Sequence, residues 1–216
     1  MNKLALRSSA LLVAVISLFS LTGCGSYNKL VTLENNVNKK WADVQSVYQR
    51  RADLIPNLVS TVQGAANFEK STLTEVTNAR ASVGQVKLDP NKAPTDAAQL
   101  EQFQAAQGQL SNALSRLLVV SENYPQLRAT EAFQALQAQL EGTENRISVE
   151  RNNFNAAVQE YNTYMQRFPT NMLNKMFGFK ERPFFAAQPG SDKAPKVDFN
   201  FESPAPAPAA TAAATP

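Results

Sequence analysis

The sequence predicts an all-α protein, an antiparallel four-helix bundle of long helices with an extended aromatic C-terminal tail. Three observations lead there. Apolar residues recur every three or four positions over three long regions, the spacing of one helix face. Proline-bearing breaks separate those regions. No stretch shows the period-two alternation of a half-buried strand.

Residues 1–23 read as a lipoprotein signal peptide. Lys3 and Arg7 form a basic leader, and Ala10–Leu21 is a mostly apolar run too short for the ~20 residues of a spanning helix. It leads into Leu21-Thr22-Gly23-Cys24, which resembles the lipobox of bacterial lipoproteins, with Cys24 as the lipidated residue and new N-terminus. Cys24 is the sole cysteine, so no intramolecular disulfide can form. An acylated N-terminus with two or more chains gives stable membrane attachment. Gly25, where an aspartate would mark inner-membrane retention, points to the outer membrane.

Residues 24–185 read as the bundle. The first helical region spans about 26–86. Its stripe runs Leu30, Leu33, Val37, Trp41, Val44, Tyr48, Ala52, Ile55, Val59, Val62, Ala66, Glu69, Leu73, Val76, Arg80, Val83. Pro56 falls inside it. An interior proline removes one helical hydrogen bond and costs ~3 kcal/mol, yet the stripe keeps phase. Unbroken phase favours one long kinked helix; matching helix lengths favours a reversal near Pro56. Either way Pro56 orphans a carbonyl one turn earlier, near Ala52. Leu88-Asp89-Pro90-Asn91-Lys92-Ala93-Pro94 is a surface loop. The second region begins near Thr95, as N-cap, with Asp96 in its first turn. Its stripe is Leu100, Phe103, Gln107, Leu110, Leu114, Leu117, Ser121. The third starts at Pro125, because Tyr124 before a proline avoids helical geometry, and continues to about Phe168. Its stripe is Phe133, Leu136, Leu140, Thr143, Ile147, Arg151, Phe154, Val158, Tyr161, Met165, Phe168. A short helix Met172–Phe177 follows, capped by Thr170 or Asn171 and stopped by Gly178. Phe179, Phe184, Phe185, Phe199 and Phe201 fasten an extended tail, residues 186–202, onto the bundle. Residues 203–216, after Ser203 only Pro, Ala and Thr, read as a disordered tail.

Composition narrows the function. There is no histidine, which removes the commonest general base and most transition-metal sites. Of 21 basic side chains, Lys3 and Arg7 leave with the leader, so 19 face 18 acidic ones. Such a balance argues against nucleic acid as a partner. With no Gly-rich phosphate loop or metal-ligand spacing, no cofactor is expected.

Two charged groupings are candidate partner-binding or polar-layer residues. Arg50, Arg51, Asp53, Pro56 and Asn57 place arginine forks beside a kink. Arg80 and Glu69 sit on the first stripe and Arg151 on the third, near Glu144, Asn145 and Arg146. Buried charge needs a partner. Glu144 with Arg80, or Glu69 with Arg146 or Arg151, would make a layer that fixes helix register. A ligand cleft between helices is the alternative. Trp41, Tyr48, Phe133 and Phe154 read as core aromatics.

The chain resembles the LemA family of bacterial envelope proteins across about Tyr27–Phe201. The resemblance rests on Tyr27-Asn28-Lys29-Leu30-Val31, Trp41-Ala42-Asp43-Val44-Gln45, Gln49 through Val59, Glu122-Asn123-Tyr124-Pro125, Thr143-Glu144-Asn145-Arg146-Ile147 and Tyr161-Asn162. It implies a helical bundle held at the membrane by its N-terminal segment, with no agreed biochemical activity. The chain departs by its lipobox, by Ala65 in place of the family's tyrosine, and by Phe68 in place of its histidine. The resulting expectation is a non-enzymatic, lipid-anchored envelope module that binds another envelope protein. A self-associating coiled coil is the alternative, and a carboxylate-only hydrolase a remote third.

Overall fold

The computed structural model describes residues 2–64 and 68–186. Helix α1 (Asn2–Gln63) passes through Pro56 without interruption. The chain reverses only after Gln63, and α2 (Lys70–Gln85) follows. This corrects two readings: the first region is neither one helix to residue 86 nor split at Pro56. The proline is tolerated because its one deficit is filled. Ala52 O, whose helical donor Pro56 lacks, accepts from Arg80 Nε at 3.0 Å. Arg80 is therefore an exposed side chain reaching back from α2, not a core charge. Glu69 lies outside both helices, exposed, and accepts from Ser71 Oγ.

Helix α3 (Ala97–Ser121) starts one position later than expected. Asp96 is its N-cap, accepting from Ala98 N at 2.9 Å, so the cap is Asp96 and not Thr95. Every residue of the expected second stripe is buried. The third region is two helices, α4 (Pro125–Arg128) and α5 (Glu131–Gln166). Thr130 caps α5 by accepting from Phe133 N at 3.3 Å, a local competitor that ends α4. Because α5 stops at Gln166, Phe168 falls off its stripe and is exposed. Helix α6 (Thr170–Phe177) ends as expected at Gly178, whose φ of +74° needs a residue without Cβ strain.

The bundle is all-α and runs up-down-up-down through α1, α2, α3 and α5. Rising numbers in α1 meet falling numbers in α5: Lys29 pairs with Glu160, Trp41 packs on Phe154, and Arg51 pairs with Glu144. Arg116 and Glu75 bridge α3 and α2 at 3.3 Å. The core has two parts. One gathers Leu30, Val37, Trp41, Tyr48, Phe103, Phe154 and Tyr161. The other gathers Ile55, Leu58, Val62, Leu110, Leu117, Phe133 and Leu140. The four expected core aromatics are all buried.

The 88–94 loop lies along α1. Trp41 Nε1 donates to Asp89 O at 2.9 Å, and Ala93 N donates to Asn38 Oδ1 at 3.0 Å. Residues 179–185 form an extended strap antiparallel to α5. Asn162 and Asn155 each trade two hydrogen bonds with the backbone of one strap residue, Arg182 and Phe185 respectively, at 2.9–3.1 Å. The spacing suits the geometry: seven helical residues rise ~10.5 Å, and three extended ones ~10 Å. Phe185 stacks on Trp41 and meets Phe154 edge-on. Phe184 faces outward, and Phe199 and Phe201, with all of the expected tail after Ala186, lie outside the described residues.

Arg80→Ala should cost about 1 kcal/mol, the worth of one lost hydrogen bond. In a Pro56→Ala background, where the new backbone N–H at position 56 can donate to Ala52 O, the same change should cost much less. Urea unfolding of the four chains in this double-mutant cycle checks the coupling.

Candidate functional site

Arg51 occupies the seam between the two parts of the core. Stepping along α1 by threes and fours reaches either Ala52 or Arg51 after Tyr48, and the fold buries Arg51, only 2% exposed. Its guanidinium reaches two other helices. Nη1 donates to Ser111 Oγ on α3 at 2.7 Å and to Glu144 Oε2 on α5 at 2.8 Å. Nη2 donates to Gln107 O at 3.3 Å and to Gln107 Oε1. The Tyr48 ring lies 5.2 Å from Arg51 Cζ, a cation–π contact. Thr143, next to Glu144, is buried and bonds its own helix at Gln139 O.

Four of the five guanidinium N–H groups are thus directed at intramolecular acceptors. A fork so occupied positions helices; it has little left to offer a phosphate or carboxylate ligand. Glu144 is 47% exposed and keeps one edge toward solvent. Tyr48, at the same seam, has its hydroxyl pKa raised, first by burial, with the nearby Arg151 and Arg51 opposing.

The remaining candidates are dispersed. Arg50, Asp53, Pro56 and Asn57 lie on the exposed face of α1, where Gln49 Nε2 donates to Asp53 Oδ1 at 2.8 Å. Asn145 and Arg146 are exposed on α5. Glu144 pairs with Arg51 rather than Arg80, because Arg80 is engaged at Ala52 O. Glu69 bonds Ser71, and Arg151 is half-buried with its Cζ 5.0 Å from the Phe185 ring. The side chain of Cys24 lies outside the described features, although its backbone belongs to α1.

A second buried arginine was not marked by the sequence. Arg182, in the strap, donates from Nη2 to Glu34 Oε1 on α1 and from Nη1 to Ala93 O in the loop. Tyr161 OH donates to Lys180 O at 3.1 Å beside it. Burial, and then the Glu34 carboxylate, push the Tyr161 hydroxyl up to about 12, against the lowering effect of Arg182. The available signal was the heptad pair Asn155 and Asn162 on one face of α5. Among the described residues no set of acidic, histidine or cysteine side chains is placed to hold a metal ion.

With this geometry established, the family can be assigned. The LemA family model matches residues 40–199. The chain belongs to the LemA family. It is similar to magnetosome protein MamQ 1 of Paramagnetospirillum magneticum, 27% identical over 203 residues, covering 84% of this chain and 73% of that one. It is similar to magnetosome protein MamQ of Magnetospirillum gryphiswaldense, 28% identical over 199 residues, with the same coverage of 84% and 73%. It is also similar to protein LemA of Metamycoplasma hominis, 21% identical over 161 residues, covering 74% and 69%. The LemA match takes in both buried arginines and the strap.

Arg51→Ala should destabilise the bundle by about 1–3 kcal/mol, since buried Gln107 loses its donor while the half-exposed Glu144 can turn to water. Arg51→Met combined with Gln107→Leu should be more stable than Arg51→Met alone, as measured by urea unfolding. Tyr161 gives an alkaline signature. The folded chain keeps its proton up to about 12, whereas an unfolded tyrosine releases it near ~10. Its contribution is therefore complete below the unfolded value and is lost as pH rises through that window. Tyr161→Phe should melt below the parent chain at neutral pH, and the gap should narrow at alkaline pH in parallel thermal melts.

Proposed function

We propose that this LemA-family chain is a lipid-anchored protein of the bacterial envelope, facing the periplasm, whose bundle is a non-enzymatic binding or scaffold module. The observation that carries the reading is the lipobox Leu21-Thr22-Gly23-Cys24, standing within α1 just before the bundle begins. Among the described residues no helix is long and apolar enough to cross a membrane. Two or more acyl chains on Cys24 would hold the chain at the bilayer. Gly25 after the cysteine supports the outer membrane.

The non-enzymatic part rests on how the strongest polar groups are used. Arg51 is bonded to Gln107, Ser111 and Glu144, and Arg182 to Glu34 and Ala93. The relatives named MamQ are named for a cell structure, the magnetosome, and not for a reaction. Binding to a different envelope protein is favoured over self-association along the α1 stripe, because Leu30, Val37, Trp41, Val44, Ile55 and Val62 are already buried within the chain. The exposed strip of Arg50, Asp53 and Asn57, with Asn145 and Arg146, is the surface available to that partner.

Cys24→Ser should abolish metabolic lipid labelling and shift the chain from the membrane to the soluble fraction. In the parent chain, photo-crosslinking residues at positions 50, 57 and 146 should each capture one heterologous envelope protein. A processed Cys24→Ser chain that still sediments with membranes would sink the anchor. Self-crosslinks alone at all three positions would replace the partner with a second copy.

A further inference from the structure

We propose that α6 is a membrane-interface helix, and that Met172 and Met176, with Phe168 in the turn before it, insert into the bilayer surface that holds the lipid anchor. The inference rests on the anchor reading above and adds a second, non-covalent point of attachment.

Half of the large apolar side chains that the described residues expose gather at this one short stretch. Phe168 is 74% exposed, Met172 60%, Met176 69% and Phe177 50%. Their placement is not random fraying. Met172 and Met176 follow a spacing of four and share one side of α6, and Phe168 stands in the turn that leads into the helix. Thr170 and Asn174 follow the same spacing on the opposite side and hold the helix to the bundle. Thr170 is buried, and Asn174 Nδ2 donates to Met165 O at 2.7 Å. Asn174 O accepts from Gly178 N at 2.9 Å, which fixes the end of the helix. Met172 and Met176 are thus presented outward, whereas Phe177 lies near Thr170 around the helix and packs on Tyr27.

The occupant follows from distance to the anchor. Tyr27 packs its ring on Phe177 at 4.9 Å and on Phe179 at 5.8 Å. Tyr27 is three residues along α1 from Cys24, a rise of ~4.5 Å. An acylated cysteine within one helical turn of Tyr27 brings lipid headgroups to the level of α6. Exposed Phe and Met beside a bilayer are stabilised by moving roughly 5–10 Å into the headgroup–acyl boundary, as amphipathic interfacial helices do. Lys29, Arg167 and Lys180 are exposed around this end, with Glu160 and Glu181 also present, so apolar insertion and not charge is the main attraction.

The test uses the full-length chain, whose only natural cysteine is Cys24. Met172→Cys, Met176→Cys and Val149→Cys each add one thiol for an environment-sensitive fluorophore. Val149 is the control, exposed and apolar but ~25 Å up α5 from its end. In phosphatidylethanolamine–phosphatidylglycerol vesicles, labels at 172 and 176 should shift to the blue, lose quenching by aqueous iodide and gain quenching by brominated lipid. The label at 149 should do none of these. Lipid labelling and flotation on the same samples report the anchor separately. A lipidated, floating chain whose labels at 172 and 176 remain quenched by iodide would overturn the inference and leave the anchor intact. If Cys24 proves unmodified, the same labels in a Cys24→Ser background, on chains that float with vesicles, still decide: bromolipid quenching upholds α6 insertion and iodide quenching overturns it. Fluorophore self-quenching at 176 that persists without vesicles would assign the patch to a second copy instead.

Discussion

Burying a guanidinium among leucines and phenylalanines is expensive unless its donors are met, and the middle of this bundle is arranged around meeting four of the five of Arg51. Gln107 and Ser111 stand one turn apart on α3, and Glu144 faces them from α5. A shift of any one helix by a single residue would rotate its acceptor away and leave the charge unpaired. Apolar contacts alone tolerate such slips, because one leucine replaces another at modest cost. The arginine therefore supplies a register that its flanking apolar clusters could not, at the boundary where one cluster ends and the other begins.

The same device recurs, with different parts, at the lower end, the half of the core around Trp41 and Tyr161. Arg182 arrives on an extended segment and joins α1 to the 88–94 loop through Glu34 and Ala93. Asn155 and Asn162 act as a substitute strand edge, offering carbonyl and amide at the repeat that an extended backbone can answer. The strap thus obtains hydrogen-bond partners without a sheet. Phe185 closes over Trp41 and Phe154, so the strap completes a core that four helices leave open.

The helical fold was legible because periodicity is a local property. The second stripe is buried at every position, and Gly178 ends α6 as its lack of a side chain allows. The reversal was misplaced because proline was weighed as a breaker, while its single missing donor is replaced from α2 by Arg80. Glu69, a charge on an apolar stripe, was the sign that the helix had already ended nearby. The break at Ala129-Thr130 was missed because Thr130 can sit within a helix as readily as cap one. At the central site Arg51 and Glu144 were both candidates, but their pairing was not readable. They are 93 residues apart, and nothing local in either sequence names the other. Arg182 was missed for the same reason: its burial depends on Glu34, 148 positions away.

That last separation sets an order of events. The chain is delivered N-terminus first, and the cluster around Ile55, Leu110 and Phe133 draws on nothing after Leu140. The lower cluster waits for Phe185. Arriving in that order, the chain holds every residue of the cluster distant from its N-terminus before it holds the strap that seals the half nearest that terminus. Any fragment released before Arg182 would carry Glu34 without its cation and Trp41 without its cover. The strap makes the lower core a record of whether the chain was finished.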